Sequence, residues 1–390
     1  MKVTGVKTFL VTPSAERAGV VGGKNWLFVR VDTDEGIHGW GEAYTQLDRD
    51  RAIEEHVREL ERYLVGRDPF AIKHFTWVVY DDFSSRRGSM DLYCALSGIE
   101  QALWDIVGKK LGVPVYKLLG GPCRGRVRVY ANGWYASSSK PEEYADKAAE
   151  TVARGFTAMK FDPFPRPWRS FVGRDVEQSA IEVVRAVREA VGPEIDLLIE
   201  GHRRLSPMNA MRFSGALEEF DPFWYEEPVS AENIPALAEI RERTRIPVVT
   251  GETLYTKAAF REVFERRAAD IINPDVCNCG GILELKEIAA MAEPYYVAVS
   301  PHNYNSTTVA LAATVQAAAC MPNFLITEYF VNFEETGNEI SVDPLKVEGG
   351  YVDLPEGPGL GVELDERALL ERPYVEQPVR SIRHYGDEGP

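Results

Sequence analysis

Long apolar runs are absent from this 390-residue chain, where nothing reaches the stretch of about 18 residues that a membrane-crossing helix needs. Cysteine is scarce. The five residues Cys94, Cys123, Cys277, Cys279 and Cys320 are odd in number and lack a framework spacing, which excludes a disulfide-stapled fold and implies reduced thiols. Cys277 and Cys279 stand two apart, yet no second Cys/His pair at zinc spacing accompanies them, so a structural role is expected for both. Basic residues are outnumbered, 44 Lys and Arg against 60 Asp and Glu. The resulting net charge of −16 argues against nucleic acid and against anionic membrane surfaces as partners. The opening MKVTGVKTFLVTP lacks the apolar core and small-residue cleavage site of a secretory leader and alternates like a strand. A cytoplasmic location is expected.

An apolar content of 45% with 27% charged residues describes an ordinary globular chain. Its length suffices for two domains, one of them a barrel of roughly 250 residues. Residues 1–125 do not follow a strand-helix rhythm. KVTGVKTFLVT and NWLFVRVDTDEGIHGWGEA, with the turn Asp34-Glu35-Gly36, read as about three antiparallel strands. RAIEEHVRELERYLVG and DLYCALSGIEQALWDIVGKKLG then read as helices, and Gly120-Gly121-Pro122 marks a boundary. From residue 126 strand and helix patterns alternate through seven units and end on an eighth strand, FLITEYF. The fold class is therefore α/β: a (β/α)7β-type modified TIM barrel over residues 126–361, with an α+β capping domain at 1–125. The eighth helix is expected to be weak or displaced by the loop-rich stretch at 331–362. EGGYVDLPEGPGLGVELD reads as a hairpin and turns that return residues 362–390 to the capping domain.

Six ionisable side chains close successive strand-type runs: Glu200, Glu226, Glu252, Asp275, His302 and Glu328, at intervals of 26, 26, 23, 27 and 26 residues. That interval is one strand-helix unit, so all six meet at the barrel end where active sites lie. Glu200, Glu226 and Glu252 are hard oxygen ligands from three consecutive strands, as Mg²⁺ prefers, and like charges at this density imply a cation. Asp275 and His302 close neighbouring strands, the arrangement in which a carboxylate orients a basic imidazole. His202 follows Glu200 by two residues, which on a strand puts both on one face. Lys160 brings positive charge to the same mouth, with Asp162 two residues on. Glu328, in protonated form, would hydrogen-bond a developing oxyanion. Arg204 is preferred over Arg203 as a substrate contact. Specificity is expected from capping loops around Val20 to Trp26 and Tyr44 to Arg49, with Trp26 as a candidate contact. An acidic substrate would be drawn in by the metal and these cations against the overall charge.

The combination resembles the enolase superfamily, mandelate racemase subgroup, over nearly the whole chain. It is carried by MKVTGVKTFLV…VDTDEGIHGWGEA, SGIEQALWDIVGKKLGVPVYKLLGG, the EEP and GE of the fourth and fifth barrel strands, and PGLGVEL. RVYANGWY, KFDPF, Glu-x-His at 200–202 and His-Asn at 302–303 are similar to sugar-acid dehydratases of the gluconate and galactonate type. The resemblance implies one Mg²⁺ on Glu200, Glu226 and Glu252 that receives the substrate carboxylate. It implies an enediolate held by Lys160 and Glu328, C2-proton removal by the His302–Asp275 dyad, protonation of the departing C3 hydroxyl by His202, and a homo-oligomer. Racemases of this subgroup carry a second lysine two residues after the first; here Asp162 stands there, so a two-base racemase is not expected. Dehydratases of this type often carry Gly where this chain has Arg203. A cycloisomerase of a sugar-acid lactone or anhydro-sugar acid would share the first half-reaction. A non-catalytic binder would have lost one of Glu200, Glu226, Glu252 or His302, and a phosphate-handling barrel would need a glycine-rich loop where HNYNST and EYFVN stand.

Overall fold

The computed structural model describes residues 1–13, 24–46, 48–81, 88–165, 169–377 and 384–387. Residues 20–23 and 47 of the capping loops singled out above lie outside the described residues, as do 378–383 and 388–390 of the C-terminal segment.

The chain begins with an antiparallel sheet of β1 (Val3–Val11), β2 (Trp26–Thr33) and β3 (His38–Ala43), in that spatial order. Helix Met90–Leu111 lies against β3, with Ser89 capping its start and Gly112, at φ 70°, ending it. The approach is backbone to backbone. A Cβ at Gly41 would fall 1.8 Å from the Gly98 carbonyl oxygen, so a larger residue would push sheet and helix apart. Helix Asp50–Leu64 adds Ile53, Val57, Leu60 and Leu64 to the core at helical spacing. Helix Ile72–Asp81 has no strong periodic signature in the sequence. Its buried Ile72, Phe75 and Val79 share one face, but Trp77, 57% exposed on another, blurs the pattern.

Eight parallel strands follow: β4 (Arg126–Asn132), β5 (Ala158–Phe161), β6 (Asp196–Glu200), β7 (Trp224–Glu226), β8 (Val248–Thr250), β9 (Ile271–Ile272), β10 (Ala298–Val299) and β11 (Thr327–Phe330). Each pairs with the next from β4 to β10. β11 pairs with β4, and a Val299–Phe324 bridge joins β10 to the segment entering β11, so the barrel closes. Its interior carries an apolar cluster of Tyr130, Ala158, Leu198, Trp224, Val249, Ile271 and Ile326. Two residues further along, on the same face by the period of a strand, stand Asn132, Lys160, Glu200, Glu226, Gly251, Asn273 and Glu328. One layer of the barrel is thus its plug and the next its chemistry.

After β11 a short helix, Glu334–Ile340, replaces a full eighth helix. The hairpin of β12 (Val347–Glu348) and β13 (Tyr351–Asp353) then pairs antiparallel with the start of β4. Backbone bonds of Gly359 with Val113 and Val115, and of Arg372 with Thr12, return the chain to the first domain. Buried carboxylates dock the cap on the barrel by capping its helices. Glu42 accepts from Ser306 N and Ala310 N at 2.9 and 3.0 Å, and Glu100 from Ile282 N and Leu283 N at 2.7 and 3.0 Å. Among the described residues no helix is long and apolar enough to cross a membrane.

Candidate active site

A cavity of about 690 Å³ opens between cap and barrel over the polar layer, with Lys160, His202, Glu252 and His302 in its wall. Glu200 and Glu226 end β6 and β7 pointing inward. Glu252 lies two residues beyond β8 and is carried there by Gly251, whose φ of 138° favours glycine. Glu227 holds that turn, accepting from Gly251 N at 2.8 Å and from the Thr250 hydroxyl at 3.0 Å. One carboxylate oxygen from each of Glu200, Glu226 and Glu252 falls within 4.8 Å of the others, all three residues being buried.

This set fits a hard divalent cation. Oε2 of Glu200 is buried and makes no hydrogen bond, with only the ion-pair distance of 3.4 Å to Lys160 Nζ. Burial and the nearby Glu200 push the Glu226 carboxyl up to about 8. Burial opposes ionisation of Glu200 as well, but His202 and Lys160 bring it down to about 2. Two buried carboxylates so placed cannot both ionise easily without a cation between them.

Lys160 is the internal counter-charge. Its Nζ lies 2.8 Å from Glu226, 2.9 Å from Glu328 and 3.4 Å from Glu200. Burial acts to lower its pKa, and these carboxylates, Glu226 foremost, carry it well above the ordinary lysine value. Glu328 accepts from Asn132 Nδ2 at 2.7 Å and from Asn303 N at 3.0 Å. Burial would raise its carboxyl, but Lys160 and His302 hold it at about 2. Glu328 is thus placed as an acceptor for Asn132 and Asn303 and as an anchor for Lys160.

His302 lies three residues beyond β10, and Nδ1 meets Oδ2 of Asp275, beyond β9, at 2.8 Å. Asp275 is fixed by Cys277 N at 2.8 Å and by Asn305 Nδ2, 3.2 Å from both oxygens. The Nε2 edge of His302 stands 3.3 Å from Glu252 and 3.4 Å from Glu328. An imidazole held by its Nδ1 edge thus presents Nε2 beside the candidate metal ligands, the arrangement a general base needs.

His202 reaches the cavity by a route that strand alternation does not describe. β6 ends at Glu200, and His202 and Arg203 take left-handed backbone angles, φ 51° and 61°. Its amide donates to Glu200 Oε1 at 2.6 Å, and its Nδ1 lies 2.8 Å from Asp162 Oδ2. Arg204 also binds Asp162 and donates from Nε to the Gly201 carbonyl at 2.9 Å. This buried guanidinium lies over the Phe164 ring and serves Asp162, whereas Arg203 lines the cavity and pairs with Glu252. Of the two arginines it is Arg203, and not the expected Arg204, that stands in the cavity wall. Asp162 is in the wall, but its carboxylate is engaged by protein donors.

Trp26 is not brought to the site. It is 1% exposed and packs edge-on against Phe28 of the cap and Phe333 of the segment after β11. Lys24, two residues earlier, is in the wall instead. Its Nζ sits 4.4 Å from the ring centres of Tyr44 and Tyr304 and 3.0 Å from Asn305 Oδ1. Sequence reasoning missed it because nothing local marks a lone lysine; the proximity of residues 24 and 305 is purely tertiary. Cys277 and Cys279 are buried, and Gln101 lies 3.5 Å from the Cys277 sulfur, as expected of structural thiols.

A capped, closed parallel barrel with three carboxylates and a His–Asp pair at its mouth defines an enolase-type enzyme class. Family models agree: "Enolase C-terminal domain-like" matches residues 143–368, and "Mandelate racemase / muconate lactonizing enzyme, N-terminal domain" matches 2–120. The chain belongs to the mandelate racemase subgroup of the enolase superfamily. It is 37% identical over 367 residues to D-gluconate dehydratase of Thermoproteus tenax, covering 92% of this chain and 73% of that protein. It is 34% identical over 378 residues to D-galactonate dehydratase of Ralstonia pickettii, covering 95% and 94%. A solved mandelate racemase/muconate lactonizing enzyme-like protein from Roseovarius sp. TM1035 superposes with a TM-score of 0.87 at 36% identity, covering 96% of each chain.

Proposed function

We propose that the protein dehydrates an aldonic acid of the gluconate or galactonate type to a 2-keto-3-deoxy acid. The observation that carries this reading is the His302–Asp275 pair facing the three-carboxylate cluster, with a second, separate histidine in the same cavity. The similarity to named gluconate and galactonate dehydratases, which are hydro-lyases, supports the choice of reaction.

Glu200, Glu226 and Glu252 would hold one Mg²⁺. Bound there, it supplies the positive charge that makes a carboxylate-bearing substrate welcome and its C2 proton more acidic. His302 Nε2 takes the C2 proton, leaving an enediolate whose charge the Lys160 ammonium offsets. The electron pair then forms the C2–C3 double bond as the C3–O bond breaks, and the oxygen leaves as water with a proton from His202. The enol so formed tautomerises to the 2-keto-3-deoxy acid. Asp162 cannot serve as an ammonium acid on the other face, which supports elimination over racemisation. Unpaired thiols at all five cysteines support a reducing, cytoplasmic setting. The family resemblance supports a homo-oligomer.

The test is incubation with Mg²⁺ and a panel of six- and five-carbon aldonic acids, trapping any carbonyl product. Formation of a 2-keto acid from a gluconate- or galactonate-type substrate is expected. A cyclised or epimerised product without a keto acid would overturn the elimination step.

A further inference from the structure

We propose that Asp162, locked by Arg204, is the positioning residue of a second His–Asp pair, fixing the His202 ring with Nδ1 on the carboxylate and Nε2 towards the cavity. The identity of the group that His202 serves, the C3 hydroxyl, rests on the dehydratase reading above; the positioning itself does not.

The two pairs repeat one construction at two seams of the barrel. Asp162 follows β5 and His202 follows β6; Asp275 follows β9 and His302 follows β10. In both, Nδ1 meets a carboxylate oxygen at 2.8 Å. In both, the carboxylate is pinned by further donors: Phe164 N at 2.9 Å and Arg204 for Asp162, Cys277 N and Asn305 for Asp275. Arg204 is itself immobilised by the Gly201 carbonyl and the Phe164 ring, so Asp162 has little freedom. A carboxylate at Nδ1 selects the tautomer and orients the ring, which is the role that makes the other nitrogen useful for proton transfer. The bland alternative is that Asp162 merely neutralises a buried Arg204. That alternative leaves the left-handed backbone at His202 unexplained; the neighbouring strain turns the ring towards Asp162 while the amide stays on Glu200.

An asparagine at 162 cannot reproduce the pair. Both carboxylate oxygens accept from the protein, Oδ1 from Phe164 N and Oδ2 from Arg204 and His202, so an NH₂ group must face a donor at one of them. Two readouts follow. In ¹⁵N-histidine NMR of the full-length protein, His202 is expected to show protonated Nδ1 bonded to a carboxylate, and Asp162→Asn to lose that signature. In D₂O with Mg²⁺, Asp162→Ala is expected to lose keto-acid formation about 10²-fold or more relative to C2–H exchange, the range of a misplaced general acid. Added formate should recover at least tenfold of that loss by refilling the carboxylate position. An unchanged His202 signal in Asp162→Asn overturns the proposal, as does equal loss of exchange and dehydration without formate rescue. Should the alanine variant not fold, the near-isosteric asparagine variant carries the test alone. If the wild-type protein makes no keto acid from any substrate, the dehydratase reading fails, while the NMR arm still decides the role of Asp162.

Discussion

Replacing Lys160 by methionine keeps most of the side-chain volume and removes the charge that three buried carboxylates share. Its Nζ is within 3.4 Å of Glu200, Glu226 and Glu328, and all four groups are almost fully excluded from water. Breaking a buried pair by deleting one partner costs about 3–5 kcal/mol, because the other charge stays behind unsolvated. A loss of that size is expected in urea unfolding at pH 7.5 with a chelator present. The pH dependence has a definite sign. The folded Glu328 carboxyl is held at about 2, below its unfolded value, so it stabilises the fold above the ordinary carboxylate range and the contribution is lost as pH falls towards 2. Lys160 is the largest cause of that depression after burial, which opposes it, so the gap between wild type and variant should narrow as pH drops from about 4.5 towards 2. Saturating Mg²⁺ should restore part of the loss at neutral pH, since binding at 100 times Kd is worth about 2.7 kcal/mol. A variant as stable as wild type at pH 7.5 in chelator would refute the electrostatic account of the cluster.

Other consequences can be measured directly. Asp275→Asn should lower C2–H exchange by about 10³–10⁴-fold, since an amide no longer selects the reactive His302 tautomer, as in a serine-protease triad; circular dichroism should show an unchanged fold. Glu200→Gln should abolish Mg²⁺ binding seen by isothermal titration, because one of three oxygen ligands becomes neutral. Lys24 is brought down to about 8 by burial, with Asp275 and Glu42 opposing. Its folded value lies below its unfolded one, so its charge, and any grip on an anionic substrate, is lost as pH rises through about 8. KM should therefore climb above pH 8 in the wild type, and Lys24→Met should show a raised KM without that climb.

The barrel and the three-carboxylate cluster were legible because strand ends recur at a fixed interval and because Glu200, Glu226 and Glu328 obey the period of two within their strands. The interval also captured Glu252, Asp275 and His302, although these stand beyond very short strands on turns whose shapes no pattern discloses. His202 was found by alternation, yet the strand has ended before it and a left-handed turn aims the ring. The same turn puts Arg203 in the cavity wall and Arg204 on Asp162, a difference that adjacent positions in a sequence cannot disclose. Trp26 was misplaced because a β2 tryptophan next to a suspected loop reads equally as core or wall; in the fold its neighbours are Phe28 and Phe333. Lys24 was invisible for the opposite reason, being given meaning only by Tyr44, Tyr304 and Asn305 from distant parts of the chain.

The central claim, a metal-assisted abstraction of the proton next to a substrate carboxylate by His302, is tested most directly by ¹H NMR of gluconate and galactonate in D₂O. Wild-type protein with Mg²⁺ should wash out the C2 proton or convert the acid to its deuterated 2-keto-3-deoxy product, and both signals should vanish with chelator or in His302→Ala. Exchange or product that survives in either control would contradict the assignment of the base and of the metal site.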